Sequence, residues 1–265
     1  MSKKRKRVLL TLDCDTLDTD ALSVLTVLAD KKGLEITGLY VEDEELLNAA
    51  RLPGLREISH VTGTVTQLSA DRISQQIASQ GQRARLHFEA STRRLPYKAS
   101  FVVARGRAVD TLTAAALKSD IVVITRSRRA SGMRTRSGSH FEPLMSMHKN
   151  ILFVNEPWAS GDCIIALYEP SRVDHISALR TARRFADAEQ LDLLVAVPRE
   201  HAVKLPVDTD RIVTLENWSE GTIAQLCERE NARLLVLSRS EHLDWRTLLV
   251  YLVDRLPCSL LRLEE

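Results

Sequence analysis

Arginine side chains are concentrated in one short stretch of the sequence, between residues 126 and 140. The stretch contains five of them: Arg126, Arg128, Arg129, Arg134 and Arg136. Guanidinium groups make forked contacts with phosphate oxygens, so this residue type favours a phosphate ligand. The stretch ends in Gly138-Ser139-His140, and Ser139 with Glu142 has the spacing of a capping box that opens a helix. Because a helix N-terminus presents free N–H groups to an anion, we expect a phosphate site here. The alternative is a solvated loop that binds an acidic partner.

A second group suited to chemistry is Asp13, which follows the short apolar run of residues 8–12. A carboxylate at the end of a buried strand suits a ribose hydroxyl, although Asp13 could instead cap the helix that follows. The run from Asp13 to Leu17 also resembles the first motif of haloacid-dehalogenase-like phosphatases, in which two aspartates act with Mg²⁺. That family needs a later pair of acids at a strand end, and Asn155-Glu156 supplies only one. A magnesium-dependent phosphatase is therefore kept as a hypothesis that ranks third, after the two functions given at the end of this subsection.

Other catalytic patterns are missing from the sequence. The four cysteines are far apart and form no CxxC, and the seven histidines show no ligand spacing. Neither a GxSxG elbow nor a phosphate-binding P-loop is present. We therefore predict no catalytic residues and no metal site.

The elements that must position these groups occur twice along the chain. Residues 121–127 are an apolar run that ends Thr-Arg-Ser, and residues 234–240 are an apolar run that ends Ser-Arg-Ser. Each run is typical of a buried parallel strand and follows a helical pattern. The two halves also open alike, with residues 7–13 and 163–169 each followed by a long predicted helix, 19–32 and 173–190.

Second strands are predicted at 34–41 and 191–197, and third strands at 100–104 and 211–216. The first half reaches its third strand through a helical stretch from about residue 65 to 90, whereas the second half has lost this helix. Alternating strands and helices predict an α/β protein of two tandem doubly wound (Rossmann-like) domains, each a mainly parallel five-stranded sheet flanked by helices. Pro157, Ser160 and Gly161 interrupt the pattern, which sets the domains at residues 1–157 and 158–265.

Composition narrows the class of protein further. The chain has 265 residues with 37 Lys+Arg and 35 Asp+Glu, but residues 1–150 hold 24 basic and 16 acidic side chains, a net of +8 that favours anions. Aromatic residues make up only 5%, which argues against nucleic-acid binding. The basic start, residues 3–7, precedes an apolar run too short for a signal peptide or a membrane span. We expect a cytoplasmic protein without membrane insertion.

Taken together, these features resemble a tandem universal stress protein. The resemblance rests on Asp13 at the end of the first strand, Gly106 after the third strand, the segment from Ser119 to Ser127, and Gly138-Ser139 before a helix. It implies strand order 3-2-1-4-5 and pairing through the last strands, so the chain would form an intramolecular pseudo-dimer, with a further homodimer possible. It also implies that adenine and ribose lie near Asp13 and the end of the second strand, at Val41.

In the nucleotide-binding branch of that family, phosphates rest on a loop spaced G-x-x-G-x9-G-[ST]. That spacing places Thr125 and Arg128 at the first two glycine positions and retains Gly138-Ser139, followed by His140. Glycine lets backbone N–H groups approach an anion, whereas an arginine obstructs the cradle while adding charge. The second half has no glycine loop, and we expect its first carboxylate, in Tyr168-Glu169, to be displaced by one position.

The resemblance thus implies a stress-response regulator that binds ATP or AMP in its first domain and has protein partners. It implies no robust catalysis beyond weak ATP hydrolysis. The alternative, from another functional class, is a nucleotide-free interaction scaffold, which the loss of both loop glycines favours.

Overall fold

We describe the fold from a computed structural model of the chain. It describes residues 5–12, 19–28, 33–52, 56–58, 63–67, 69–127, 143–144, 146–147, 149–156, 158, 160–170, 174–199, 205–238 and 256–264.

Seven strands and four helices are bounded in the described residues of the first half. The strands are β1 (Lys6–Thr11), β2 (Leu34–Asp43), β3 (Arg56–Ile58), β4 (Val65–Gln67), β5 (Lys98–Gly106), β6 (Ile121–Ser127) and β7 (Asn150–Glu156). The helices are α1 (Thr19–Leu28), α2 (Glu44–Ala49), α3 (Ala70–Thr92) and α4 (Ala108–Leu117). The second half supplies β8 (Cys163–Leu167), β9 (Asp192–Pro198), β10 (Arg211–Leu215), β11 (Ala232–Ser238), β12 (Ser259–Leu263), α5 (Asp174–Glu189) and α6 (Glu220–Arg229).

Ten of the strands form one continuous sheet, in the order β10-β9-β8-β11-β12-β7-β6-β1-β2-β5. Read inward from each outer strand, each half repeats the strand order 3-2-1-4-5, and all neighbours within a half are parallel. The last strands of the halves, β7 and β12, pair antiparallel with Leu152 opposite Leu261. The predicted α/β fold with mainly parallel sheets and flanking helices is confirmed.

Helices cover both faces of this sheet because its central strands are apolar on both sides. Residues of α1, α3 and α5 pack with one set of strand side chains, and we call this the α1 face. Residues of α4 and α6, together with Leu144, pack with the other set, on the α4 face. Buried parallel strands need cover on both faces, which explains why their sequences are continuous apolar runs rather than alternating ones.

The structure corrects the predicted helix that was to start near residue 65. Residues 65–67 instead pair with residues 56–58 as a small antiparallel hairpin, β3-β4. Helix α3 begins at Ala70, where the Oγ atom of Ser69 accepts a hydrogen bond of 3.4 Å from the N–H of Arg72. A serine before the first turn is a standard N-cap, so the local signal for this start was present in the sequence. Between β9 and β10 the described residues contain no helix, as expected.

Polar contacts reinforce the junction between the two halves. Arg262 on β12 is buried and donates hydrogen bonds to the carbonyl oxygens of Met147 and, at 3.0 Å, Lys149. Asn155 at the end of β7 donates through Nδ2 to the carbonyl oxygen of Cys258, at 2.6 Å. On the α1 face, Arg184 of α5 donates to a carbonyl oxygen of α1. The halves are thus joined by ladder hydrogen bonds, side-chain hydrogen bonds and helix contacts.

Among the described helices, none has both the length and the apolar character that a membrane span requires.

Candidate functional site

The candidate site lies where β1 and β6 end side by side. These strands are parallel neighbours, with Leu10 opposite Val123 and Thr11 opposite Ile124. From β1 the chain continues to α1 on the α1 face, whereas after β6 the next described core residue, Leu144, packs on the α4 face. The chain therefore continues from two adjacent strands toward opposite faces, and the carboxyl ends of such strands are where open α/β sheets bind ligands; we call this position the crevice.

Two buried threonines, each 8% exposed, fix the floor of this crevice. The hydroxyl of Thr11 donates to the carbonyl oxygen of Val123 at 3.2 Å, and the hydroxyl of Thr125 donates to the carbonyl oxygen of Thr11 at 3.4 Å. The N–H of Leu12 donates to the carbonyl oxygen of Leu39 on the other neighbour, β2. The backbone that leads into Asp13 is therefore held from both sides.

Thr125 is one of the predicted binding residues, at the first glycine position of the phosphate loop. It lies inside β6, opposite Val154 of β7, rather than in a loop. Its hydroxyl is already used within the protein, as described above. Its observed role is to tie β6 to the end of β1, and contact with a ligand remains a prediction.

Val41 and Gly106 lie at the same edge of the sheet as the crevice. Val41 is opposite Ala104, and both pack partly buried against the core of the α4 face. A Cβ atom at Gly106 would lie 2.9 Å from the Oγ1 atom of Thr111, so α4 starts very close to the end of β5. The structure thus places Val41, Gly106 and Thr125 at the carboxyl ends of their strands: β2 and β5 are neighbours, and β1 lies between β2 and β6.

Charges near the ends of β2 and β5 are paired locally. Arg107 lies 2.9 Å from Glu45 and 3.6 Å from Asp110, and Arg105 lies 3.7 Å from Glu44. The hydrogen bond that Arg107 donates to Glu45, together with the negative charge of that carboxylate, raises the pKa of Arg107. Positive charge for a phosphate group must therefore come from the arginines after β6.

The remaining predicted site residues, Asp13, Arg128, Gly138, Ser139 and His140, lie outside the described residues. The structure describes what flanks them: the end of β1 on one side and the end of β6 on the other.

The second half has an equivalent position, and its register corrects one expectation. Ala166 lies opposite Val195 and Val236, just as Leu10 lies opposite Gly38 and Val123. Three residues beyond Ala166 is Glu169, and three residues beyond Leu10 is Asp13. The carboxylate of the second half is therefore not displaced by one position, because Glu169 occupies the place of Asp13.

Glu169 is 5% exposed and belongs to a buried polar cluster that the sequence did not reveal. Its N–H donates to the Nδ1 atom of His175 at 2.9 Å, and His175 is fully buried in the first turn of α5. The imidazole meets the ring of Tyr168 edge-on, with 6.5 Å between the ring centroids. The only sequence signal was a histidine six residues after Glu169, inside an apolar helical pattern.

Metal and phosphatase chemistry gain no support from the described residues. Across the described part of the chain, no three His, Cys, Asp or Glu side chains are grouped to hold a metal ion. At the end of β7, where the phosphatase hypothesis needs paired acids, Asn155 instead donates to the carbonyl oxygens of Leu256 and Cys258.

Comparisons with solved structures agree with the sheet topology. A universal stress protein from Archaeoglobus fulgidus DSM 4304 superimposes with a TM-score of 0.59 at 12% identity, covering 98% of this chain and 96% of the other. A putative universal stress protein from Pseudomonas aeruginosa UCBPP-PA14 gives 0.57 at 14% identity, covering 98% and 93%. A functionally unknown protein from Pseudomonas aeruginosa PAO1 gives 0.57 at 14% identity, covering 98% and 92%. Neither a family model nor a curated protein matches the sequence. The chain therefore has the fold of universal stress proteins.

Proposed function

We propose that this chain is a cytoplasmic, tandem universal-stress-protein-like regulator that binds one adenine nucleotide, ATP or AMP, in its first half. The observation that carries the proposal is the crevice between β1 and β6. Asp13 follows one of these strands and the arginine-rich segment follows the other. Ligands of open α/β sheets bind at such a position.

Each predicted residue has a role in this proposal. Asp13 accepts hydrogen bonds from the ribose hydroxyls, and Val41 contributes apolar surface beside the adenine. Gly106 has no side chain, so the backbone at the end of β5 can lie close to the nucleotide. Arg128 and the Gly138-Ser139-His140 turn receive the phosphates through charge and backbone N–H groups.

The second half is proposed as a structural or partner-binding copy. Glu169 holds the position of Asp13 but is buried with His175, and no glycine loop follows β11 in the sequence. In the sequence, the stretch after β11 instead contains the acidic residues Glu241 and Asp244, which opposes anion binding.

In this proposal the nucleotide is a signal rather than a substrate. Phosphates neutralise the arginine-rich segment and order it, and the ordered segment changes its affinity for a protein partner. The chain needs no robust catalytic centre for this role.

The alternative is a nucleotide-free interaction scaffold. The observation that favours it is Thr125, which is a paired strand residue where nucleotide-binding relatives have a loop glycine. Arg128 replaces the second glycine, so the backbone cradle is incomplete. In this case the arginine-rich segment binds an acidic protein surface directly.

Titration calorimetry with ATP distinguishes the two functions. We expect the wild type to bind one ATP per chain, Asp13→Ala to lose binding, and Glu169→Gln, the matched change in the second half, to retain it. A wild type that shows no binding at millimolar ATP contradicts the nucleotide proposal. Magnesium-dependent turnover of a phosphomonoester that Asp13→Asn abolishes would point to the phosphatase instead.

A further inference from the structure

Strand β5 ends the sheet with an unusually long outer edge. All nine of its residues pair with β2, from Lys98 opposite Glu35 to Gly106 opposite Asp43. On its other side, no strand among the described residues pairs with it. An outer edge of this length presents a row of backbone N–H and C=O groups to another chain.

The middle of this edge lacks the usual protection against pairing. Proteins commonly guard an edge strand with charged side chains, proline or a bulge. Residues 100–104 read Ser-Phe-Val-Val-Ala, with none of these. Val102 is 43% exposed and Val103 is 39% exposed, although both are apolar. The Phe101 ring is partly buried, with the guanidinium of Arg85 at 5.3 Å from its centroid and the ring of Phe88 at 5.6 Å, so Val102 and Val103 supply most of the exposed apolar surface.

The strand is self-complementary about its midpoint. Antiparallel pairing of two copies of β5 about Val102 keeps all nine residues in register. It places Val102 opposite Val102, Phe101 opposite Val103, and Ser100 opposite Ala104. At the three central positions apolar side chains thereby meet apolar side chains, which is an arrangement that stabilises cross-strand pairs. A closed two-fold contact of this kind is also the commonest symmetry of protein dimers.

Charges at the ends of the strand permit this contact. The Nζ atom of Lys98 lies 2.7 Å from the carboxylate of Glu35, and the Nε atom of Arg105 lies 3.7 Å from that of Glu44. Each cation is therefore balanced within its own chain. An acidic foreign strand would find these positions already paired, so the edge favours a partner strand without acidic side chains, such as β5 itself.

The opposite end of the sheet differs in length and charge. Strand β10 has five residues, and Arg211 at its start pairs with Glu230 at 2.9 Å. Its exposed Ile212 offers a control position, equally apolar and also on an edge strand.

We infer that two copies of this chain associate through antiparallel pairing of their β5 edges about Val102, extending the ten-stranded sheet into one of twenty strands. The mode repeats, between molecules, the antiparallel joining of β7 and β12 that the molecule already uses between its halves.

Sedimentation of the full-length protein tests the interface. We expect the wild type to dimerise at micromolar concentrations. Val102→Lys should raise the dimer dissociation constant by roughly tenfold or more, since it sets two like charges opposite each other. Ile212→Lys should leave the dissociation constant unchanged. Circular dichroism of each variant checks that the fold is retained.

Disulfide trapping tests the register without weakening the edge. In a Cys14→Ser background, Val102→Cys should form a disulfide-linked dimer on mild oxidation, because opposite residues of antiparallel strands have Cα separations that a disulfide can span. Ile212→Cys should remain unlinked.

A wild type that stays monomeric at all concentrations overturns the inference. The remaining partner for the β5 edge would then be an extended segment of another protein. A dimer that Ile212→Lys disrupts and Val102→Lys does not also overturns it.

Discussion

Arg128 holds the position of a glycine in the phosphate loop that the sequence resembles. Substituting it distinguishes a side chain that contacts the phosphates from one that obstructs the backbone cradle. If its guanidinium contacts the phosphates, Arg128→Ala should weaken ATP binding by about 1.5–3 kcal/mol, the range for hydrogen bonds to charged groups. Calorimetric titration of the variant measures this change directly.

Arg128→Gly is the matched variant, because it restores the glycine of the motif. Weaker binding in both variants supports a phosphate-contacting arginine. Tighter binding in Arg128→Gly contradicts that role and shows that the side chain obstructs the backbone cradle.

Three cysteines of the second half should be chemically inert in the folded protein. Burial, aided by the negative charge of Glu230, raises the pKa of Cys163 to about 11, so about one thiol in a thousand is ionised at pH 8. A hydrogen bond with the thiol of Cys258, together with burial, also raises the pKa of Cys227. Because the thiolate is the reactive form, these side chains should resist alkylation until the protein unfolds.

Counting thiols with a chromogenic disulfide reagent checks this prediction. In a Cys14→Ser variant at pH 8, we expect no rapid reaction in the native state and three thiols after denaturation. Rapid native reaction of any of the three would show that the second half opens easily.

The residue-level features show what a sequence reveals about a site. Asp13 could be proposed as a binding residue because it directly follows an apolar strand in the sequence, and its role stays a prediction. The contact between Glu169 and His175 could not be predicted, because it depends on where α5 begins relative to the end of β8. The hydrogen bond from the Thr125 hydroxyl to the carbonyl oxygen of Thr11 could not be predicted either. It depends on the register of β1 against β6, which no local sequence pattern shows.

At the level of elements, two glycines have opposite expected effects. A Cβ atom at Gly38 on β2 would lie 2.8 Å from the ring of Phe88, the buried side chain by which α3 packs on the sheet. Gly38→Ala should therefore destabilise the fold by about 1–3 kcal/mol through overpacking. A Cβ atom at Gly221, in α6, would meet nothing within 4 Å, and Gly221→Ala should stabilise the fold by about 0.4–1 kcal/mol.

Urea denaturation of both variants measures the difference in unfolding free energy. Equal stability of Gly38→Ala and the wild type would mean that α3 packs more loosely than the structure shows.

Most of the elements could be predicted from periodicity and repetition. The long apolar strands and the paired helices that follow β1 and β8 appear at nearly the predicted bounds, because hydrophobic pattern alone determines them. The hairpin of β3 and β4 was missed because each strand has three residues, too few to show a period. Residues 65–67 also continued a pattern that suited a helix.

On the scale of the whole molecule, the sheet is continuous across two halves of opposite charge, and buried Arg262 lies at their junction. Replacing it with leucine leaves the carbonyl oxygens of Met147 and Lys149 without this donor. Arg262→Leu should lower the unfolding free energy by about 1.5–3 kcal/mol, since the lost hydrogen bonds involve a charged group.

Arg199→Leu is the control for this change. Arg199 pairs with Glu216 at 2.6 Å, but both side chains are well exposed, so its loss should cost less than about 1 kcal/mol. Equal effects of the two substitutions in chemical denaturation would contradict a stabilising role for Arg262 at the junction.

The pairing of β7 with β12 was foreseeable only from the family resemblance, because neither strand indicates its partner. The β5 edge illustrates the same limit, since its exposure results from the order of the strands and not from their composition.

The central claim is that the first half binds an adenine nucleotide, and the most direct test is the content of the protein itself. Protein purified without added nucleotide would be denatured, and the released small molecules identified by chromatography and mass spectrometry, with ATP titrated into the emptied protein. We predict adenine nucleotide near one per chain, or micromolar ATP binding that Asp13→Ala abolishes. Protein that releases no nucleotide and shows no binding at millimolar ATP would contradict the claim. The nucleotide-free scaffold would then be the supported function.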